Sequence, residues 1–103
     1  MQLELESGSQ IIRDPTEKDI CAYVGIEGFA ILSVSEYTYI QCAEHDERTG
    51  EFQLEYQDGS VDEHYRAADE PITLDRILTA FVKYLRKDES WRSDFDWEKM
   101  KLP

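Results

Sequence analysis

Between residues 29 and 66, apolar and polar side chains alternate through four segments, and Asp58-Gly59 separates the last two. An Asp-Gly step favours the tight turn whose twist matches two antiparallel strands, so this stretch reads as a β-meander. The segments run from Phe29 to Val34, Tyr37 to Glu44, Glu51 to Gln57 and Ser60 to Arg66.

The turns predict a register. A two-residue Asp58-Gly59 turn sets Tyr56 opposite Val61, Glu55 opposite Asp62, Gln53 opposite His64 and Phe52 opposite Tyr65. The polar loop 45–49 then sets Cys42 against Phe52, Ile40 against Leu54 and Thr38 against Tyr56. A Ser35-Glu36 turn places Ile31 beside Ile40 and Phe29 beside Cys42. All three turns gather apolar side chains on one face, and a slip of one residue would turn a strand over.

The same register gives the opposite face one row of Leu32, Tyr39, Glu55 and Asp62 and a second of Ala30, Gln41, Gln53 and His64. Beyond them lie Ala43 and the cross-strand charge pair Glu51 and Arg66. Glu55 facing Asp62 costs up to about 1 kcal/mol, which a solvated face tolerates or a cationic partner relieves. Glu63 lands on the apolar face, the inward charge that guards a sheet edge, so 60–66 is expected at an edge.

Outside the meander, Leu3 and Leu5 alternate with Gln2, Glu4 and Glu6 as a half-buried strand. Ser7-Gly8 turns it and Gln10 to Arg13 returns. Asp14-Pro15-Thr16 halts that strand, with Thr16 as N-cap of a short helix bearing Ile20, Tyr23 and Val24 and stopping at Gly25. Thr73 is the expected cap of a second helix whose apolar face is Ile77, Leu78, Phe81, Tyr84 and Leu85. The tail carries Trp91, Phe95, Trp97, Met100 and Leu102, more apolar mass than an exposed tail holds, so it is expected to fold back. The prediction is one α+β domain over residues 1–103. It has an antiparallel meander sheet of four to six strands and two helices packed on one face.

Charge narrows the classes of function. Twenty-three acidic against eleven basic residues give −12, which repels nucleic acid and anionic lipid and attracts a basic protein. The apolar stretch from Ile20 to Val34 is interrupted by Gly25, Glu27 and Gly28, so no membrane span is expected. Cys21 and Cys42 have no disulfide spacing and no secretory leader is recognised, which fits reduced thiols in a cytoplasm.

Cys42, His45 and His64 do not make a metal set, because Cys42 points to the core and His64 away from it. His64 near Glu55 and Asp62 is the arrangement of a general base with an orienting carboxylate, but an open sheet face offers no pocket and no nucleophile. Gly25 and Gly28 lack the strand–turn–helix setting of a phosphate loop. Tyr37, Tyr39, Trp91 and Trp97 lack the basic groove that base stacking requires, and both tryptophans read as core lids. No cofactor is expected.

With Asp14-Pro15-Thr16 before a short helix, then FAIL, YIQCA, FQLEYQDGS, HYR, AFVKYL and SWRSDFDW, nearly the whole chain resembles a set of small bacterial proteins. Some of these resemble immunity proteins of polymorphic-toxin or contact-inhibition systems. The resemblance implies a small, acidic, cytoplasmic protein that blocks a toxin's working surface, and it assigns no residue. The expected function is therefore non-catalytic binding of a basic protein partner, such as a toxin, through Tyr39, Gln41, Gln53, Glu55, Asp62 and His64. The alternatives are a structural or adaptor subunit docking through its tail, and a small enzyme using His64 with Glu55 and Asp62.

Overall fold

The computed structural model describes residues 1–5, 10–26, 28–46, 50–68 and 71–101, with the side chains of 45 and 46 outside the description. The expected Ser7-Gly8 turn, the loop residues 47–49 and Leu102 lie outside the described residues.

In chain order the elements are β1 (Gln2–Leu5), β2 (Gln10–Arg13), α1 (Glu17–Tyr23), β3 (Phe29–Ser35), β4 (Thr38–Asp46), β5 (Glu51–Asp58), β6 (His64–Ala67), β7 (Ile72–Thr73), α2 (Leu74–Leu85), a 3-10 helix (Glu89–Asp94) and β8 (Trp97–Lys99). The strands form one antiparallel sheet in the order β2-β1-β3-β4-β5-β6-β8, with β7 paired to the Glu51 end of β5. The α+β class is as expected, and the sheet is wider than four to six strands. Two short segments account for the excess: β7 is two residues long, and β8 is three residues within the tail.

Local chemistry starts the helices differently. At α1 the Thr16 hydroxyl accepts from the Asp19 amide at 3.2 Å while the Asp19 carboxylate accepts from the Thr16 amide at 2.9 Å. This reciprocal box stabilises a helix start by about 1 kcal/mol. Thr73 sits at the N-cap of α2 as expected, but its side chain makes no capping bond. Its backbone pairs with Glu51 of β5, so strand pairing rather than a hydroxyl fixes the entry to that helix.

Gly25 follows α1 with φ +87°, and a Cβ there would press on the end of the Leu74 side chain. The backbone sign is what favours glycine, at the point where α1 turns back toward the sheet. α2 lies against β4, β5 and β7, and α1 packs on α2.

Their common core includes Leu3, Leu32, Ile40, Leu54, Ile77 and Phe81, all fully buried. The tail folds back as its apolar content requires. Trp91 is buried, its ring meeting Tyr56 at 4.9 Å and Trp97 at 5.8 Å between centroids. β8 then pairs beside β6, so 60–66 is not an edge. The outermost strands are β2 and β8, and Glu63 is a half-exposed residue accepting from the Tyr65 hydroxyl at 2.5 Å.

Three hairpins depart from the expected register. In β5–β6 the pairs are Glu55 with Arg66, Tyr56 with Tyr65 and Gln57 with His64. The Asp58 amide donates to the Glu63 carbonyl at 2.9 Å, so the loop is 59–62 rather than a two-residue turn. Gly59 is drawn away from a tight turn because its amide bonds the Tyr37 carbonyl at 3.0 Å. The shift is even, so residues 64–66 keep their expected faces, but Val61 and Asp62 leave the sheet and the Tyr56–Val61, Glu55–Asp62 and Glu51–Arg66 pairs do not exist. β4–β5 also shifts evenly, with Ile40 against Tyr56 and Cys42 against Leu54.

β3 slips by an odd step. Ser35 pairs with Thr38 but Ser33 with Tyr39, and the irregularity falls at Val34, which is 58% exposed. This bulge turns the rest of β3 over. Ala30 and Leu32 are buried in the core, and Phe29 and Ile31 take the opposite face, the reverse of the expectation.

Candidate functional site

The face of the sheet turned away from α2 is built by the odd residues of β4 and β5 and the even residues of β6. One row across it reads Arg13, Gln2, Ser33, Tyr39, Gln57 and His64. The neighbouring row reads Ile11, Glu4, Ile31, Gln41, Glu55, Arg66 and Glu98.

A hydrogen-bond network joins the two rows at His64. Nδ1 of His64 lies 3.0 Å from Gln57 Oε1, and Nε2 lies 2.7 Å from Glu55 Oε1. The Tyr39 hydroxyl donates to Gln57 Oε1 at 3.3 Å, and Gln41 Nε2 donates to Glu55 Oε1 at 3.2 Å. Gln57 Nε2 donates to the Tyr37 carbonyl at 3.2 Å, which orients the amide and leaves its oxygen facing His64. Both imidazole nitrogens thus face side-chain oxygens, and the tautomer decides which nitrogen donates. His64 and Gln57 are only 5% and 4% exposed, and the Tyr39 ring meets His64 edge-on at 6.0 Å. Burial first, and then the charge of Glu55, raise the Tyr39 pKa, so its hydroxyl stays a donor.

Of the six residues expected to form the site, Tyr39, Gln41, Glu55 and His64 share this network. Gln53 lies on the same face beside Ala43, two positions along β5 from Glu55. Asp62 is exposed in the 59–62 loop and belongs to another part of the surface. The partner of His64 is Gln57 rather than Gln53.

Three residues on this face were not foreseen as part of a site: Gln57, Phe29 and Ile31. The Gln57 position follows once the β5–β6 loop has its true length. Phe29 and Ile31 lie in a continuous apolar run, FAILSV, where alternation cannot say which set faces inward. They border a hollow of about 350 Å³ with Ala43, Gln41, Gln53 and Glu55.

His64 has no nitrogen free to take a proton from a substrate while it holds Gln57 and Glu55. Among the described residues no three His, Cys, Asp or Glu side chains converge as metal ligands, and Cys42 is buried with its thiol pushed up to about 12 by desolvation. Among the described residues no helix is long and apolar enough to cross a membrane. No protein-family model matches the chain, and no curated protein or solved structure is significantly similar to it.

Proposed function

We propose that this chain is a non-catalytic binding protein whose outer sheet face takes a basic protein partner. An immunity protein that covers a basic toxin in the cytoplasm is the form of this reading that the sequence resemblance suggests. The carrying observation is the pre-ordered acceptor surface around Glu55. His64 and Gln41 hold one carboxylate oxygen in place, while the other has no partner among the described residues. Acceptors fixed before binding lose little conformational freedom when a cation arrives. The net charge of −12 steers such a partner toward the molecule, with an on-rate that falls as salt rises.

The test separates this face from bulk charge. Wild type, a face variant (Glu4→Lys with Gln53→Lys) and a charge-matched variant on exposed positions of α2 (Asp75→Lys with Thr79→Lys) are used to co-purify partners from the native host at low salt. A basic protein recovered by wild type and the α2 variant, and lost by the face variant, supports the assignment. Equal recovery by all three removes this face from the interaction.

A further inference from the structure

The hollow beside Glu55 is chemically divided. Phe29 and Ile31 of β3 make its apolar side, Gln53 and Glu55 of β5 make its polar side, and Ala43 and Gln41 of β4 lie between them. At about 350 Å³ it is at the low end of ligand-site volumes and large enough to take one long side chain. Gln41 uses its amide nitrogen on Glu55, which leaves its carbonyl oxygen available. Gln53 has no hydrogen bond among the described residues, so its oxygen is a third acceptor beside the second oxygen of Glu55.

We infer that this hollow is a socket for a lysine side chain of the protein partner, with the aliphatic stem on Phe29, Ile31 and Ala43 and the ammonium among Glu55, Gln41 and Gln53. This rests on the docking reading above and specifies what the face reads. Lysine fits because its ammonium is a compact charge with three donors and no acceptor, and its stem covers apolar surface. Arginine fits less well. Its planar fork gains most from both oxygens of one carboxylate, and Glu55 has one of them committed to His64 at 2.7 Å and to Gln41 at 3.2 Å. An uncharged chain of the same length would leave the carboxylate without a partner for its second oxygen.

The experiment titrates the intact protein with Nα-acetyl-lysine methylamide and its arginine and norleucine counterparts, followed by amide chemical shifts. The lysine probe is expected to give saturable shifts at Ile31, Gln41, Ala43 and Gln53 and to bind at least about five-fold more tightly than the arginine probe. The norleucine probe should not saturate. Gln53→Leu, which leaves the Glu55–His64 bond intact, should weaken the lysine probe several-fold, and Ile31→Ser should do the same through the stem. Equal affinity for arginine, insensitivity to Gln53→Leu, or tighter saturation by putrescine than by the lysine probe would overturn the socket. If the probe fails while the face variant still loses the captured partner, the socket falls and the docking face stands. A partner retained by the face variant removes the docking reading itself.

Discussion

β5 is held by two different chemistries on its two sides. Its inward residues Phe52, Leu54 and Tyr56 are buried in a dry aromatic and aliphatic packing, with Tyr56 between Tyr65 at 5.0 Å, Trp91 at 4.9 Å and Trp97 at 4.7 Å. Its outward residues Glu55 and Gln57 are held by directed hydrogen bonds to His64, Gln41, Tyr39 and a backbone carbonyl. Packing is cumulative and survives loss of any single contact in part, whereas a hydrogen-bond network is specific in direction and is costly when half broken. The inner side therefore supplies stability. The outer side supplies fixed positions for polar atoms, the property a recognition surface needs.

The inner side should show the largest effect. Trp91 is fully buried among Tyr56, Tyr84 and Trp97, and Trp91→Ala should cost about 4 kcal/mol through lost transfer and a residual cavity. Urea denaturation measures it. A loss below about 1 kcal/mol would mean that the 3-10 segment is not part of the cooperative core.

Alkaline pH comes next, and it again acts on the inner side. Burial pushes the Cys42 thiol and the Tyr84 hydroxyl up to about 12 each, so both are held neutral in the folded chain. A folded pKa above the unfolded one means this stability is complete below the ordinary values of 9.0 and 10.0 and is lost as pH rises toward about 12. The urea midpoint should fall steeply over that range, and Cys42→Ala should flatten the start of the fall. An unchanged alkaline limb in that variant would show the thiol to be more accessible than its place under the helices implies.

These two sides were not equally legible from sequence. The class of fold, the identity of the inward set on β4 and β5, and the helix faces all follow from period and parity, which survive even shifts of register. The β5–β6 hairpin shows this: it was misplaced by four residues, because Gly59 bonds Tyr37 instead of closing a tight turn, yet His64 and Glu55 stayed on the same face. β3 shows the opposite case. A single bulged residue, Val34, reversed the strand, and a run in which both alternating sets are apolar gave no warning. The candidate site was legible as a face and as four of its residues. Its partners across strands were not, because they depend on loop lengths that only tertiary contacts decide.

The outer side should behave unlike the inner one under paired substitution. His64→Leu removes the shared partner of Gln57 and Glu55 and should cost about 2 kcal/mol, because each oxygen then keeps only its longer bond, from Tyr39 at 3.3 Å and from Gln41 at 3.2 Å. Adding Gln57→Leu should recover part of that loss, since the buried amide oxygen that His64 faced is then gone. On the inner side a second truncation beside Trp91→Ala should only add to the damage. Stabilities of both single variants and the double variant, measured as a cycle, decide the point. A Leu–Leu double variant less stable than the sum of its parts would show that the network carries more of the fold than its directed bonds account for.

The smallest effect gives the finest comparison, because it places the same substitution on each side. Tyr39 and Tyr56 are both tyrosines whose pKa is raised chiefly by burial. The Tyr39 hydroxyl donates to Gln57 Oε1 at 3.3 Å, and the Tyr56 hydroxyl has no hydrogen bond among the described residues. Tyr39→Phe should therefore cost about 0.5–1 kcal/mol, the lower end of a neutral hydrogen bond given its length. Tyr56→Phe keeps the ring stacked on Tyr65 and deletes an unengaged group, so its stability should lie within about 0.5 kcal/mol of wild type. A Tyr39→Phe variant should also leave Gln57 Oε1 with His64 alone, and the His64 ring resonances should shift while the Trp91 and Trp97 indole signals stay in place. The reverse ranking, with Tyr56→Phe the more costly, would assign the polar anchoring to the helix-covered side and leave the outer face without the rigidity that its proposed role requires.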